Sequence, residues 1–170
     1  AERGPEGGLA DHPVTSLGTV APDGHVDIAA TDLSFPNGMV ITPDGGTLVV
    51  AESLGLRLTA FDLAADGSLS NRRVWAGLEG VVPDGICLDA EGCIWVANAL
   101  APECVRVAEG GSVRGRVETS QNCYACMLGG EDGRDLYLVT AQDSSAAVAR
   151  TRRSGRIERC RVEAAHAGLP

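Results

Sequence analysis

Two tripeptides each place an oxygen-bearing side chain between a proline and a glycine. The first contains Asn37, in "SFPNGMVI", and the second contains Asp84, in "VVPDGICL", 47 residues further along the chain. An amide oxygen and a carboxylate suit a hard divalent cation such as Ca²⁺, Mg²⁺ or Mn²⁺, and Zn²⁺ also accepts a carboxylate. A second interpretation stays open, because Pro-Asn-Gly and Pro-Asp-Gly are common turn sequences in any protein.

The unit around each tripeptide is repeated along the chain. Each unit has an apolar strand, a glycine-bearing turn and a second apolar strand; the second strands begin at residues 47, 93 and 135, so successive starts lie 46 and 42 residues apart. A period of about 40–50 residues with four strands per unit is typical of a β-propeller blade. We therefore predict an all-β fold, a partial β-propeller domain over 17–170 after a loop over 1–16. Its parts are a half blade over 17–34 and three blades over about 35–78, 82–120 and 123–164.

Two outer strands are predicted to complete each blade. In the third blade they lie on the two sides of Ser154–Gly155, within "AAVARTRRSGRIERCRVE". No segment has a sustained helical period of apolar residues, so we expect antiparallel sheets and no helix longer than about ten residues.

Position in the blade separates Asn37 and Asp84 from plain turn residues. Each precedes the first strand of a blade, whereas Asp23 and Asp44, in similar turn sequences, lie between two strands. Because the first strands of propeller blades line a central channel, the Asn37 and Asp84 side chains would face one axis. Three polar residues at the inner ends of the second strands are further candidates, for hydrogen bonds to a substrate hydroxyl; the alternative is a solvated or turn-capping role. They are Glu52, Asn98 and Thr140.

Composition argues against several classes of partner. The net charge of −9, with a pI near 4.7, disfavours nucleic acid and anionic membrane surfaces. No apolar run is long enough to cross a bilayer. The chain starts without a secretory n-region and h-region, so we expect a cytoplasmic location.

The six cysteines are predicted to be reduced, and most of them buried. "CYAC", at 123–126, looks like a metal or redox motif. However, residues three apart on a regular strand point to opposite faces, so two such thiols cannot easily share a metal. Core thiols are the interpretation that this spacing favours, and redox or zinc chemistry is the alternative.

An ordered set of motifs resembles one known family. "FPNGMVITPDGGTLVVAES", "PDGICLDAEGCIWVANA" and "ACMLGGEDGRDLYLVTA" are similar, in this order, to segments of the senescence marker protein/gluconolactonase/luciferin-regenerating enzyme-like family. The resemblance implies a six-bladed β-propeller in the full family. It also implies hydrolysis of small sugar-type lactones, assisted by one divalent cation (Ca²⁺, Zn²⁺, Mg²⁺ or Mn²⁺).

The resemblance assigns roles to the two tripeptides. Asn37 and Asp84 match two of the family's metal ligands, and Asp84 would also act as the catalytic general base. The family's other two ligands, a Glu of the first blade and an Asn of a middle blade, have no match here. Glu6 is a poor candidate for that Glu, because Pro13 and the lack of an apolar run argue against the strand that should follow.

The sequence therefore predicts the C-terminal portion of such an enzyme, with an incomplete metal site. We expect the chain alone to lack lactonase turnover and to self-associate through open blade edges. A small-molecule lactone is the expected partner of the complete enzyme. A non-catalytic propeller that serves as a binding or scaffold module is the alternative.

Overall fold

Four antiparallel β-sheets occupy residues 12–168, the part of the chain that the structure, a computed structural model, describes. A two-stranded hairpin comes first, with β1 (Thr15–Val20) and β2 (Val26–Leu33). Blade 1 follows, with β3 (Pro36–Ile41), β4 (Thr47–Glu52), β5 (Arg57–Leu63) and β6 (Leu69–Gly77). Blade 2 contains β7 (Pro83–Leu88), β8 (Ile94–Asn98), β9 (Glu103–Val107) and β10 (Val113–Glu118).

Blade 3 has three strands and one short helix. The strands are β11 (Cys123–Gly129), β12 (Asp135–Thr140) and β13 (Arg156–Arg161), and helix α1 (Ala146–Thr151) lies between β12 and β13. Within each sheet, strands that are consecutive in sequence are neighbours. This meander order, with one sheet after another along the chain, is the order of a β-propeller.

Local turn chemistry explains why the strands reverse where they do. Between β3 and β4 the chain passes through Thr42, Asp44 and Gly45, and Gly45 has a φ of 72°, which glycine adopts without steric cost. Asp44 Oδ1 accepts hydrogen bonds from the Thr42 hydroxyl (2.6 Å) and the Gly46 amide (3.0 Å). The sequence "TPDGG" is thus an ordinary hairpin turn, as its position between two strands predicts.

The core lies between the sheets rather than inside any one of them. Val40 and Ile86 belong to the cluster between blades 1 and 2, and Cys87 and Leu128 to the cluster between blades 2 and 3. Leu33 belongs to a third cluster, between the hairpin and blade 1. Burial of each large apolar side chain stabilises the fold by about 1.5–3 kcal/mol, so sheet-to-sheet stacking is what holds the row together.

The first strand of each blade packs against the first strand of the next. Strand β7 lies between β3 and β11, with close contacts to both. These three inner strands, as we call them from here on, therefore run side by side along one edge of the stacked sheets. They bring the starts of the three blades together, which is the arrangement that the candidate site needs.

The prediction of one strand is wrong. The stretch "AAVAR" was expected to form the third strand of blade 3, but it forms α1, none of whose residues is buried. Alanine and arginine are strong helix formers, and the stretch has no alternation of apolar and polar residues that a sheet could bury. Blade 3 consequently has three strands, and the Ser154–Gly155 region is the loop before β13.

The beginning of the chain is only partly described. Strand β1 starts at Thr15, two residues inside the predicted loop over 1–16. Glu6, the residue considered for the family's first-blade ligand, lies outside the described residues. Between residues 12 and 168, no helix has both the length and the apolar character needed to cross a bilayer.

Candidate functional site

Asn37 and Asp84 lie at matching bulges in two neighbouring inner strands. On β3, Asn37 and the glycine after it stand opposite a single residue of β4. On β7, Asp84 and the glycine after it stand opposite a single residue of β8 in the same way. A bulge of this kind re-aims the side chain of the extra residue. The repeat therefore presents an amide and a carboxylate at equivalent places on adjacent blades.

The two tripeptides are strand segments and not turns, because both lie inside β3 and β7. Their glycines serve close packing and not a positive φ. A Cβ on Gly38 would lie 2.7 Å from the carbonyl oxygen of Asp84, and a Cβ on Gly85 would lie 2.8 Å from Cα of Ala125. Such distances leave no space for a side chain, so each glycine lets the next inner strand approach backbone to backbone.

This close approach brings the two polar side chains together. The amide nitrogen Nδ2 of Asn37 donates a hydrogen bond to the Ser53 hydroxyl at 3.3 Å. Ser53 in turn donates to the carbonyl oxygen of Pro83, at 2.6 Å, which ties the end of β4 to the start of β7. Burial raises the pKa of Asp84, and the neighbouring Asn37 side chain acts in the opposite direction.

Asp84 has no cationic partner among the described residues, although the chain has fourteen arginines. The ion pairs found between residues 12 and 168 use other acids. A half-buried carboxylate without a counter-charge is unfavourable, and a bound cation would supply that charge. The donor set of Asn37 and Asp84, all oxygen, fits a hard divalent cation.

Two protein ligands are fewer than a complete metal site provides. In the described part of the chain, no three His, Cys, Asp or Glu side chains converge so that they could hold an ion. This includes the "CYAC" motif. A third bulge, at Tyr124 and Ala125, places Cys123 and Cys126 in one apolar cluster instead of on opposite faces, as a regular strand would.

Glu52 has a structural environment rather than an open one. Its side chain is fully buried, and it accepts hydrogen bonds from the Ser34 amide, the Thr59 hydroxyl and Arg57. Arg72 lies 3.3 Å from it. Burial alone would raise the pKa of Glu52, but the hydrogen bonds from Arg57, Thr59 and Ser34 outweigh burial and lower it to about 2. Both carboxylate oxygens of Glu52 are therefore already hydrogen-bonded within the protein.

Asn98 and Thr140 occupy the same register position as Glu52, and their polar groups are also hydrogen-bonded within the protein. Asn98 is buried; its oxygen accepts from the Val82 amide (3.1 Å) and its amide donates to Glu103 (2.9 Å). Thr140 is buried and donates to Glu158 at 2.7 Å. Because these polar groups bond within the protein, we leave Glu52, Asn98 and Thr140 out of the proposed substrate site.

The structure adds Tyr124 to the candidate site, a residue that was not predicted from the sequence. Cys123 pairs with Thr140 just as Pro36 pairs with Glu52, so the residue after it, Tyr124, takes the place of Asn37 on the third inner strand. Tyr124 is half-buried. An alignment of "CYAC" with the two tripeptides could have found it, but the third copy lacks both the proline and the glycine.

A separate cavity of about 310 Å³ lies at the far ends of the same strands. It is mostly apolar and is lined by Val40, Ile86, Leu88, Met127 and His166, among others. Neither Asn37 nor Asp84 reaches it. The candidate site lies instead at the bulges that carry Asn37 and Asp84, because a hard divalent cation binds oxygen ligands.

Several known proteins are similar to this chain in sequence and in fold. The family pattern described as "SMP-30/Gluconolactonase/LRE-like region" matches residues 5–142. Regucalcin of Bos taurus is 32% identical over 136 residues, which cover 75% of this chain and 44% of that protein. The chain thus spans less than half the length of this relative.

Two solved structures are similar to the chain. Regucalcin from Agrobacterium tumefaciens, described as a calcium-binding protein, superposes with a TM-score of 0.74 at 25% identity, covering 89% of this chain and 53% of that one. A gluconolactonase from Xanthomonas campestris gives 0.63 at 28% identity, covering 75% and 42%. Because the family pattern spans most of the sequence and the sheets follow one another as propeller blades, this chain belongs to the SMP-30/gluconolactonase/LRE-like family.

Proposed function

We propose that this chain carries half of the catalytic centre of a metal-dependent hydrolase of small, sugar-type lactones. One observation carries the proposal: Asn37 and the half-buried Asp84, which has no ion-pair partner among residues 12–168, occupy equivalent bulges on two inner strands that pack backbone to backbone. The family, which includes a gluconolactonase and a calcium-binding regucalcin, supports the substrate class and the need for a divalent cation.

Each residue has a distinct chemical task in this proposal. A divalent cation, when bound, polarises the lactone carbonyl. Asn37 would hold the cation with a neutral oxygen, which does not reduce its charge. Asp84 would hold it with one carboxylate oxygen, and its other oxygen would accept the proton of the water whose oxygen bonds to the lactone carbonyl carbon. The C–O bond of the ring then breaks, the proton passes from Asp84 to the departing ring oxygen, and a hydroxy acid is released.

The experiment compares Asp84 with Asp44, the aspartate of a second Pro-Asp-Gly tripeptide. In the protein that contains this chain, Asp84→Ala removes both a ligand charge and the base, so hydrolysis should fall to background across a Ca²⁺, Mg²⁺, Mn²⁺ and Zn²⁺ series. Asn37→Ala should weaken cation affinity more than it lowers the rate at saturating cation. Asp44→Ala alters a Pro-Asp-Gly turn that is exposed to solvent, and it should leave hydrolysis intact. Wild-type activity in Asp84→Ala would overturn the mechanism.

A non-catalytic binding propeller is the second candidate. It is favoured by the small number of ligands, since no three His, Cys, Asp or Glu side chains converge in the described part of the chain. With two protein ligands, we expect this chain alone to bind Ca²⁺ no better than about millimolar. Cation binding by the complete protein, without acid release from any lactone in a substrate panel, would establish this second function and exclude the first.

A further inference from the structure

We propose that Tyr124 is a specificity-determining residue of the same site: its phenol ring and hydroxyl contact the lactone on the side of Asp84 opposite Asn37. The proposal rests on the function proposed above and names a substrate contact for it. It is drawn from the way the three inner strands repeat.

The three bulges are equivalent in register. In each blade, the first residue of the inner strand pairs with the last residue of the second strand: Pro36 with Glu52, Pro83 with Asn98, and Cys123 with Thr140. The next residue of the inner strand is the bulged one. Asn37, Asp84 and Tyr124 therefore hold one structural position, and all three are half-buried.

Packing between the strands repeats in the same way. A Cβ on Gly38 would lie 2.7 Å from the carbonyl oxygen of Asp84, and a Cβ on Gly85 would lie 3.1 Å from the carbonyl oxygen of Tyr124. The step from Asn37 to Asp84 is thus repeated from Asp84 to Tyr124. Because β7 lies between β3 and β11, the Asp84 position stands between the position of the Asn37 amide on one side and that of the Tyr124 phenol on the other.

The surroundings leave the phenol available to a ligand. Neighbours on the same stretch use their polar groups within the protein: Gln121 donates to the Ser154 carbonyl oxygen, and Cys126 to that of Trp95. No hydrogen bond within residues 12–168 involves the Tyr124 hydroxyl. A tyrosine offers a flat apolar face together with a polar tip. This combination suits a ring that has C–H groups on its face and hydroxyls at its edge.

A lactone whose carbonyl lies near Asn37 and Asp84 would extend its ring toward Tyr124. The Tyr124 hydroxyl would then donate a hydrogen bond to a substrate hydroxyl and would favour hydroxylated, sugar-type lactones over bare ones. Loss of one such hydrogen bond corresponds to about tenfold in affinity. The effect belongs in KM rather than in kcat, because the phenol does not touch the reacting carbonyl carbon.

Terbium luminescence tests the position of Tyr124 in this chain without any turnover. Tb³⁺ takes oxygen sites of the Ca²⁺ type, and a nearby tyrosine transfers excitation to it. The chain has two tyrosines, Tyr124 and Tyr137. Tyr124→Phe should remove most of the tyrosine-excited Tb³⁺ emission without changing the Tb³⁺ concentration needed for half-saturation, measured by direct excitation of the ion. Tyr137→Phe, on a different strand, should keep the emission.

The results separate the two proposals. Tb³⁺ binding that Asp84→Asn does not weaken would overturn the proposed cation site, and with it the role of Tyr124. Binding that depends on Asp84, with emission that Tyr124→Phe does not reduce, would overturn the role of Tyr124 alone.

Kinetics of the protein that contains this chain then test the substrate contact. Tyr124→Phe should raise KM by about tenfold for a hydroxylated lactone, with little change for a lactone without hydroxyls and with kcat retained. Tyr137→Phe should leave both constants unchanged. An equal loss for both lactones, or a loss confined to kcat, would contradict a specificity role.

Discussion

Gly38 and Asp84 touch backbone to backbone, since a Cβ on Gly38 would lie 2.7 Å from the Asp84 carbonyl oxygen and equally close to the Ile86 amide nitrogen. The glycine of the first tripeptide thereby sets how near the acid of the second tripeptide can come. The spacing between the Asn37 and Asp84 positions depends on this approach. Blade packing and site geometry are consequently controlled by the same residue.

A methyl group at Gly38 should therefore damage both stability and the site. In Gly38→Ala the clash is with backbone atoms, which cannot rotate away, so we expect a loss of about 1–3 kcal/mol in the free energy of unfolding. Gly77→Ala is the matched control, because nothing lies within 4 Å of its added Cβ, and its effect should stay within about 0.5 kcal/mol. Urea denaturation measures both variants. Equal midpoints for the two would refute the close-packing role.

Acid should destabilise blade 1 through Glu52. Its pKa is held at about 2, against an ordinary value of 4.5, so the folded state favours the charged carboxylate. The resulting stabilisation, at most about 3 kcal/mol, is present above the unfolded pKa and is lost as the pH falls from about 5 toward 2. Glu52→Gln should flatten the pH dependence of the free energy of unfolding over this range.

The matched control for Glu52 is an exposed acid. Asp62 pairs with Arg73 at 2.6 Å, but both side chains are more than 40% exposed. Solvent screens such a pair, so Asp62→Asn should keep most of the acid slope of the wild-type chain. A series of denaturation curves between pH 2 and 7 distinguishes the variants. A slope that survives in Glu52→Gln and disappears in Asp62→Asn would reverse the assignment.

Features set by local sequence were predictable. The repeat of strand, glycine turn and strand gave the inner strands and the propeller class, because each hairpin depends on turn residues that lie next to it. The equivalence of the Asn37 and Asp84 positions was also predictable, since proline and glycine mark both in the sequence, and their role in a metal site stays a prediction. The role of those glycines was not predicted: they look like turn glycines, but they allow close packing against another blade.

Features set by pairing between distant segments were not predictable. Tyr124 is recognised through the pairing of Cys123 with Thr140, which no short motif reveals. Glu52 looks like an open polar group at a strand end, and its burial depends on Arg57 and Arg72 from other strands. Helix α1 was missed because a short, exposed, alanine-rich segment follows its local propensity once no sheet position requires it.

Thiol reactivity should follow burial. Five of the six free cysteines are buried, and Cys160 is the partly exposed one. Burial raises the pKa of Cys104, and hydrogen bonds to neighbouring thiols raise those of Cys87 and Cys126, so few reactive thiolates form there. Alkylation of the native chain without reductant should label Cys160 first, and mass spectrometry after unfolding should find six labelled thiols. Cys160→Ser should lose the fast phase. Rapid labelling of Cys126, or a reproducible disulfide, would contradict this ordering.

The outer face of blade 3 should drive self-association. Met127, Tyr137, Val139 and Ile157 lie on one face, because Met127 pairs with Tyr137 and Val139 with Ile157. All four are exposed, Ile157 by 76%, and no described sheet covers them. A contiguous apolar face of this kind favours association. We expect the average mass in sedimentation velocity to rise with the concentration of this chain.

Charge on this face tests the prediction. Replacing Val139 and Ile157 together by Lys should shift the chain toward monomer, because lysines repel one another and hold water at the surface. Leu100→Lys is the control: Leu100 is 62% exposed but lies in the loop after β8 of blade 2, and its replacement should leave the association unchanged. A wild-type chain that stays monomeric at every concentration would contradict the prediction. Association that persists in the double variant would place the interface elsewhere, with the edge of β13, which no strand covers in the described sheets, as the next candidate.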